Sequence, residues 1–179
     1  MTRRHNLAAI AVWLVAAVCL IAFAPGANGQ VVATEGLAIV VHRANPIDTL
    51  TLRELRRIFM LDTQTWPHGR KITVVLREKG QPERTEAIRL ICGLSESDFE
   101  RHVLYQTFRG SIDRAPRSIQ SASAMLRFIF NTPGAIGYVR PDEVDDTVKV
   151  LQIDGLLPGD AKYPLRRVVR AGKASVPAW

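Results

Sequence analysis

Four short runs, mostly apolar and rich in β-branched residues, constrain this chain more than any other feature. They are Leu37-Ala-Ile-Val-Val41, Lys71-Ile-Thr-Val-Val-Leu76, Ala135-Ile-Gly-Tyr-Val139 and Val148-Lys-Val-Leu-Gln-Ile153. The first has no polar alternation, which suits a strand buried on both faces. Helical patterns separate the runs, so strands and helices alternate along the chain. That order predicts an α/β three-layer sandwich, a central mixed sheet with helices on both faces.

The helical patterns carry their own termini. Thr51-Leu-Arg-Glu54 is a capping box that opens a helix to about Phe59, with Leu52, Leu55, Ile58 and Phe59 on one stripe. Arg53, Arg56 and Arg57 fall on its solvated side. Trp66-Pro-His-Gly69 reads as a turn, and Gly80-Gln-Pro82 breaks the chain before a helix to about Cys92, ended by Gly93. Ser95 or Ser97 caps a helix through about Phe108, and Ser121 to about Asn131 is helical before Pro133-Gly134 stops it. Between these two helices, Arg109 to Ser118 reads as an exposed loop. Beyond Gly155 the pattern gives turns and an edge strand around Val168.

The amino end is of another kind. A basic start, Arg3-Arg-His5, precedes the apolar stretch Leu7 to Ala24, and Ala27 and Gly29 form a small-x-small cleavage site before Gln30. Residues 1–29 are therefore expected to be a signal peptide and residues 30–179 one exported domain, periplasmic or extracellular. The stretch 7–24 also reaches the lower limit for spanning a bilayer, so a retained inner-membrane anchor is the alternative. Val18 before Cys19 does not suit lipid attachment. Cys92 is then the only cysteine of the domain, and its apolar neighbours Ile88, Ile91 and Leu94 point to a buried structural thiol.

Composition narrows the function classes. The chain is 47% hydrophobic and 23% charged with a formal net charge of +7, part of which lies in the leader. No long run of like charge occurs, and no basic stripe interleaves with aromatics, so nucleic-acid binding is not expected. His42, His68 and His102 match no HExxH, and there is no paired-cysteine spacing, nucleophile elbow or P-loop. The chain is read as a non-enzyme without cofactor or metal.

Three stretches together resemble the extracytoplasmic phosphate-binding protein of ABC-type phosphate importers, in the periplasmic binding protein superfamily. They are Leu37 to Pro46 with Thr51 to Phe59 and the tryptophan turn, Arg77-Glu-Lys-Gly80 before a helix, and Thr132-Pro-Gly-Ala-Ile-Gly-Tyr-Val139. The resemblance runs from about Gly36 to Val139 and implies one lobe of a two-lobed binding protein. It also implies an anion site in which Arg77 and Gly80 precede a Ser-Gly-Thr turn at a helix start. Here Gln81-Pro82-Glu83 stands in that place. Pro82 removes an amide donor, no hydroxyl is offered, and Glu83 brings a negative charge to where the phosphate would sit.

The expected ligand residues are accordingly Arg77, Gly80, Gln81, Arg84 and Thr85, the last two as compensating cation and displaced hydroxyl. A second candidate is the loop carrying Arg109, Ser111, Arg114 and Arg117, for an anion or an acidic partner. Two functions follow. One is a solute-binding-like protein taking phosphate or another small anion for ABC-type uptake. The other is a periplasmic interaction or sensory subunit without the anion site, working through a partner such as an ABC permease or as a homodimer.

Overall fold

The computed structural model describes residues 36–166. The leader and the strand expected around Val168 lie outside the described residues. Five strands form the main sheet: β1 (Ala38–His42), β3 (Thr73–Arg77), β4 (Arg117–Ile119), β5 (Ala135–Val139) and β6 (Val148–Val150), in the order β4-β3-β5-β1-β6. β3 runs parallel to both β4 and β5, whereas β1 is antiparallel to β5 and β6, so the sheet is mixed. A small parallel pair, β2 (Thr49–Leu50) with β7 (Gln152–Ile153), stands beside it.

Strand alternation sends side chains to two faces. Ile39, Val41, Val74, Leu76, Ile136 and Tyr138 point to one core, under helices α1 (Leu52–Phe59), α2 (Pro82–Ala87) and α3 (Glu96–Phe108). Val40, Val75, Ala135 and Val139 point to the other, under α4 (Ala122–Asn131). The sheet is thus the middle of three layers, and Leu37 to Val41 are fully buried, as the first run predicts. Gly137 has a physical reason to lack a side chain, because a Cβ there would press on Met125 Sδ and Ile129 Cδ1. It lets α4 lie close to β5.

The local termini form as read. The Thr51 hydroxyl accepts from Glu54 N at 3.2 Å while Glu54 returns to Thr51 N at 2.8 Å, closing the capping box. Ser95 and Ser121 cap α3 and α4 through their hydroxyls. α2 continues as a π-helical turn over Ile88–Cys92, and Gly93 ends it in the left-handed region at φ 70°.

Two expectations need correction. The loop from Arg109 is shorter than read, because Arg117 and Ser118 belong to β4 and pair with Val75 and Leu76. The last apolar run is not one strand. It breaks at Leu151, whose amide donates to Ile39 O at 2.9 Å, so Val148–Val150 joins the main sheet and Gln152–Ile153 joins β2.

Candidate functional site

β3 presents chemistry at both of its ends. At its C-terminal end it delivers Arg77 to the turn that starts α2. Gly80 holds φ 84° there and is exposed, and Gln81 N donates to Glu78 O at 3.2 Å. Gln81 is the residue before the helix, and its carbonyl accepts from Arg84 N and Thr85 N at 3.0 and 3.3 Å. Its side chain makes no capping bond, and Pro82 occupies the first helical position.

The two compensating groups of this turn are engaged from within. Arg84 is buried, its Nε donating to Glu96 Oε1 at 2.8 Å and its Nη1 to Arg77 O at 2.9 Å, with Glu100 3.9 Å from Nη2. Thr85 Oγ1 donates to the other Glu96 oxygen at 3.0 Å. Glu96 is the first residue of α3, so that helix start closes over the turn like a clasp. Glu83 stands 4.0 Å from Arg140, which also binds Glu143 at 3.0 Å. Arg77 Nε and Nη1, Glu83 Oε2 and Glu86 Oε1 are buried without a hydrogen-bond partner among the described residues.

Tyr138 anchors this end of the sheet. Its hydroxyl accepts from Arg77 N at 3.0 Å, and burial raises its pKa, against the opposing pull of that bond and of the Arg84 and Arg77 charges. Arginine and glutamate alternate around it. A dianion arriving at Glu83 meets a like charge, and a pair of unit charges about 4 Å apart repels by about 4 kcal/mol at the effective dielectric of a protein surface.

The opposite end of β3 opens into a cavity of about 740 Å³. Its walls combine Lys71 and Ile72 to Val74 from the β3 end, Asp113 to Arg117 from the loop, and Phe128 and Thr132 from α4 and its end. Register explains the opening: β4 pairs with β3 only from Val75 onward, so on that side Thr73 and Val74, paired on the other with β5, face the loop rather than a strand. The Gln64 side chain staples that loop, its Nε2 donating to Ser111 O at 2.7 Å and its Oε1 accepting from Asp113 N at 3.2 Å. Gly134 packs closely on Lys71, and its carbonyl takes both Thr73 N and Trp66 Nε1 at 3.1 Å, which ties Thr73 of the cavity wall to the start of β5.

The loop's cations divide. Arg109 turns away, its guanidinium 5.2 Å over the Tyr105 ring and bonded to the Tyr105 hydroxyl at 2.8 Å. Ser111 contributes its carbonyl to Gln64. Arg114 and Arg117 line the cavity, the Arg117 guanidinium carbon 5.9 Å from the Phe128 ring centroid. Lys71, absent from the residues the sequence singled out, joins them and pairs with Asp113. That pairing holds the Asp113 carboxyl below the usual carboxylate range, through the hydrogen bond first and then the Lys71 charge.

Other reactive groups are set structurally. Cys92 is fully buried, and burial pushes its thiol up to about 12, where it stays protonated at neutral pH. His102 Nε2 bonds Met60 O at 2.8 Å, and His42 Nδ1 accepts from Ala44 N at 3.0 Å. Among the described residues, no three His, Cys, Asp or Glu side chains gather as a metal site, and no helix is long and apolar enough to cross a membrane.

Comparison with known proteins follows the same lines. A family model described as a PBP superfamily domain matches residues 22–164. An ABC-type phosphate transport receptor from Vibrio cholerae is 26% identical with a TM-score of 0.61, covering 74% of this chain and 53% of that one. PstS from Borrelia burgdorferi shares the fold at 15% identity and a TM-score of 0.59, over 74% of this chain and 54% of its own. A putative phosphate ABC transporter substrate-binding protein from Clostridium perfringens, solved with bound phosphate, shares it at 24% identity and a TM-score of 0.55, over 68% and 46%. The chain spans about half the length of these structures.

Proposed function

The chain belongs to the PBP superfamily, and from that premise we propose that it is an exported, non-catalytic binding module whose β3–α2 turn does not take phosphate. The observation that carries this is the capture of Arg84 and Thr85 by the two oxygens of Glu96. Arg84 and Thr85, the two groups that would offset Glu83, are spent inside the protein, which leaves Arg77 without their support, and removing one partner of a buried, hydrogen-bonded ion pair is strongly destabilising. The basic, apolar leader with its small-x-small site supports export, and the domain then works through another protein of the envelope, such as an ABC permease.

Calorimetric titration of the exported protein with phosphate and with sulfate tests this. The expected result is no saturable heat at millimolar anion. The variant Q81S/P82G/E83T, which supplies the two hydroxyls and the amide donor, is expected to gain phosphate binding. Saturable phosphate binding by the unaltered protein, abolished by Arg77→Gln, would overturn the proposal in favour of an uptake protein for that anion.

A further inference from the structure

We infer that the cavity at the N-terminal end of β3 binds an organic carboxylate with an apolar body. Its charges come from three cations, Lys71, Arg114 and Arg117, against the single carboxylate of Asp113 among its lining residues. Only Lys71 of the three has a carboxylate partner among the described ion pairs, so the cavity wall keeps a positive excess. The Arg117 guanidinium carbon lies 5.9 Å from the Phe128 ring centroid on the cavity lining, so an N–H fork able to hold a carboxylate in two hydrogen bonds sits beside an apolar ring.

Size and lining choose the ligand class. At about 740 Å³ the space is in the range of metabolite-sized sites. Ile72, Val74 and Phe128 give it an apolar wall that an inorganic oxyanion would leave wet, while Thr73 and Thr132 supply hydroxyls beside the cations. Two uncompensated charges are too few for a polyanion. Two parts of the wall are held before any ligand arrives, the loop by the Gln64 staple and Thr73 by its bond to the Gly134 carbonyl, which lowers the ordering cost of binding. This site is independent of whether the β3–α2 turn takes phosphate.

The test uses phenylacetate as probe, with phenylacetamide as its neutral counterpart and inorganic phosphate as the bare anion, each titrated by calorimetry into the exported protein. Saturable one-to-one binding of phenylacetate is expected, with phenylacetamide and phosphate each at least about ten-fold weaker. R114Q/R117Q should weaken phenylacetate by about ten-fold or more, and Arg53→Gln, on the solvated side of α1, should leave it unchanged. Should the double variant melt early, Arg114→Gln alone, which leaves the Phe128 stack intact, is expected to weaken binding in the same direction. Absence of phenylacetate binding, equal binding of the amide, or full affinity in the arginine variants would overturn the inference.

Discussion

At its C-terminal end β3 hands Arg77 to a turn where Arg84 and Arg140 are already met by Glu96, Glu100, Glu83 and Glu143. At its N-terminal end the same strand borders a cavity where Lys71, Arg114 and Arg117 face one carboxylate. Both ends are arginine-rich, yet burial separates them. The Arg84–Glu96 side chains are 9% and 19% exposed, and those of Lys71–Asp113 are 73% and 63% exposed. The first pair is structural; the second is exposed on the cavity wall and can exchange its partner for a ligand. Counting cations along the chain does not find an anion site, because what matters is which of them the fold has left uncompensated.

The largest expected effect breaks the buried pair. Glu96→Ala leaves the buried Arg84 charge with Glu100 at 3.9 Å and the Arg77 carbonyl, and frees Thr85, and urea unfolding should lose about 3 kcal/mol of stability. Lys71→Ala should leave the urea midpoint in place, because exposed pairs contribute little. If the two substitutions cost the same, the two ends do not differ as described. A smaller effect sharpens the contrast. Asp113→Asn removes the one carboxylate lining the cavity among the described residues and releases Lys71, so phenylacetate binding should tighten about five-fold by calorimetry. The pH dependence has a definite sign: the lowered Asp113 pKa contributes to stability above the ordinary carboxylate range, and that contribution is lost as pH falls through the lowered value.

Most of the sheet was legible in the sequence because β1, β3, β5 and β6 each carry a local apolar signal. Leu37 to Val41 reads as doubly buried, and Thr51 with Glu54 marks a helix start within four residues. The corrections fall where local signals run out. Arg117-Ser-Ile119 is too short and too polar to announce a strand, and becomes one only through parallel pairing with β3. Leu151 looks like the middle of a strand and is instead the point where the chain changes sheets. The sites show the same division. The residues at the β3–α2 turn could be named from the motif, and Glu83's charge is visible in it. That Glu96 would take both Arg84 and Thr85 depended on how α3 packs, which no spacing encodes. Lys71, Gln64 and Phe128 were marked by no anion-site motif, and it takes strand register, helix packing and the Gln64 hydrogen bonds together to bring them to Arg114 and Arg117.

The most direct measurement is an amide-resolved NMR titration of the isotope-labelled exported protein, first with phosphate and then with phenylacetate. The account predicts shifts for phenylacetate confined to Lys71–Val74, Asp113–Arg117 and the neighbouring Phe128, and none for phosphate between Arg77 and Glu86. Phosphate shifts centred on Arg77 and Gln81, with the cavity silent to phenylacetate, would contradict it.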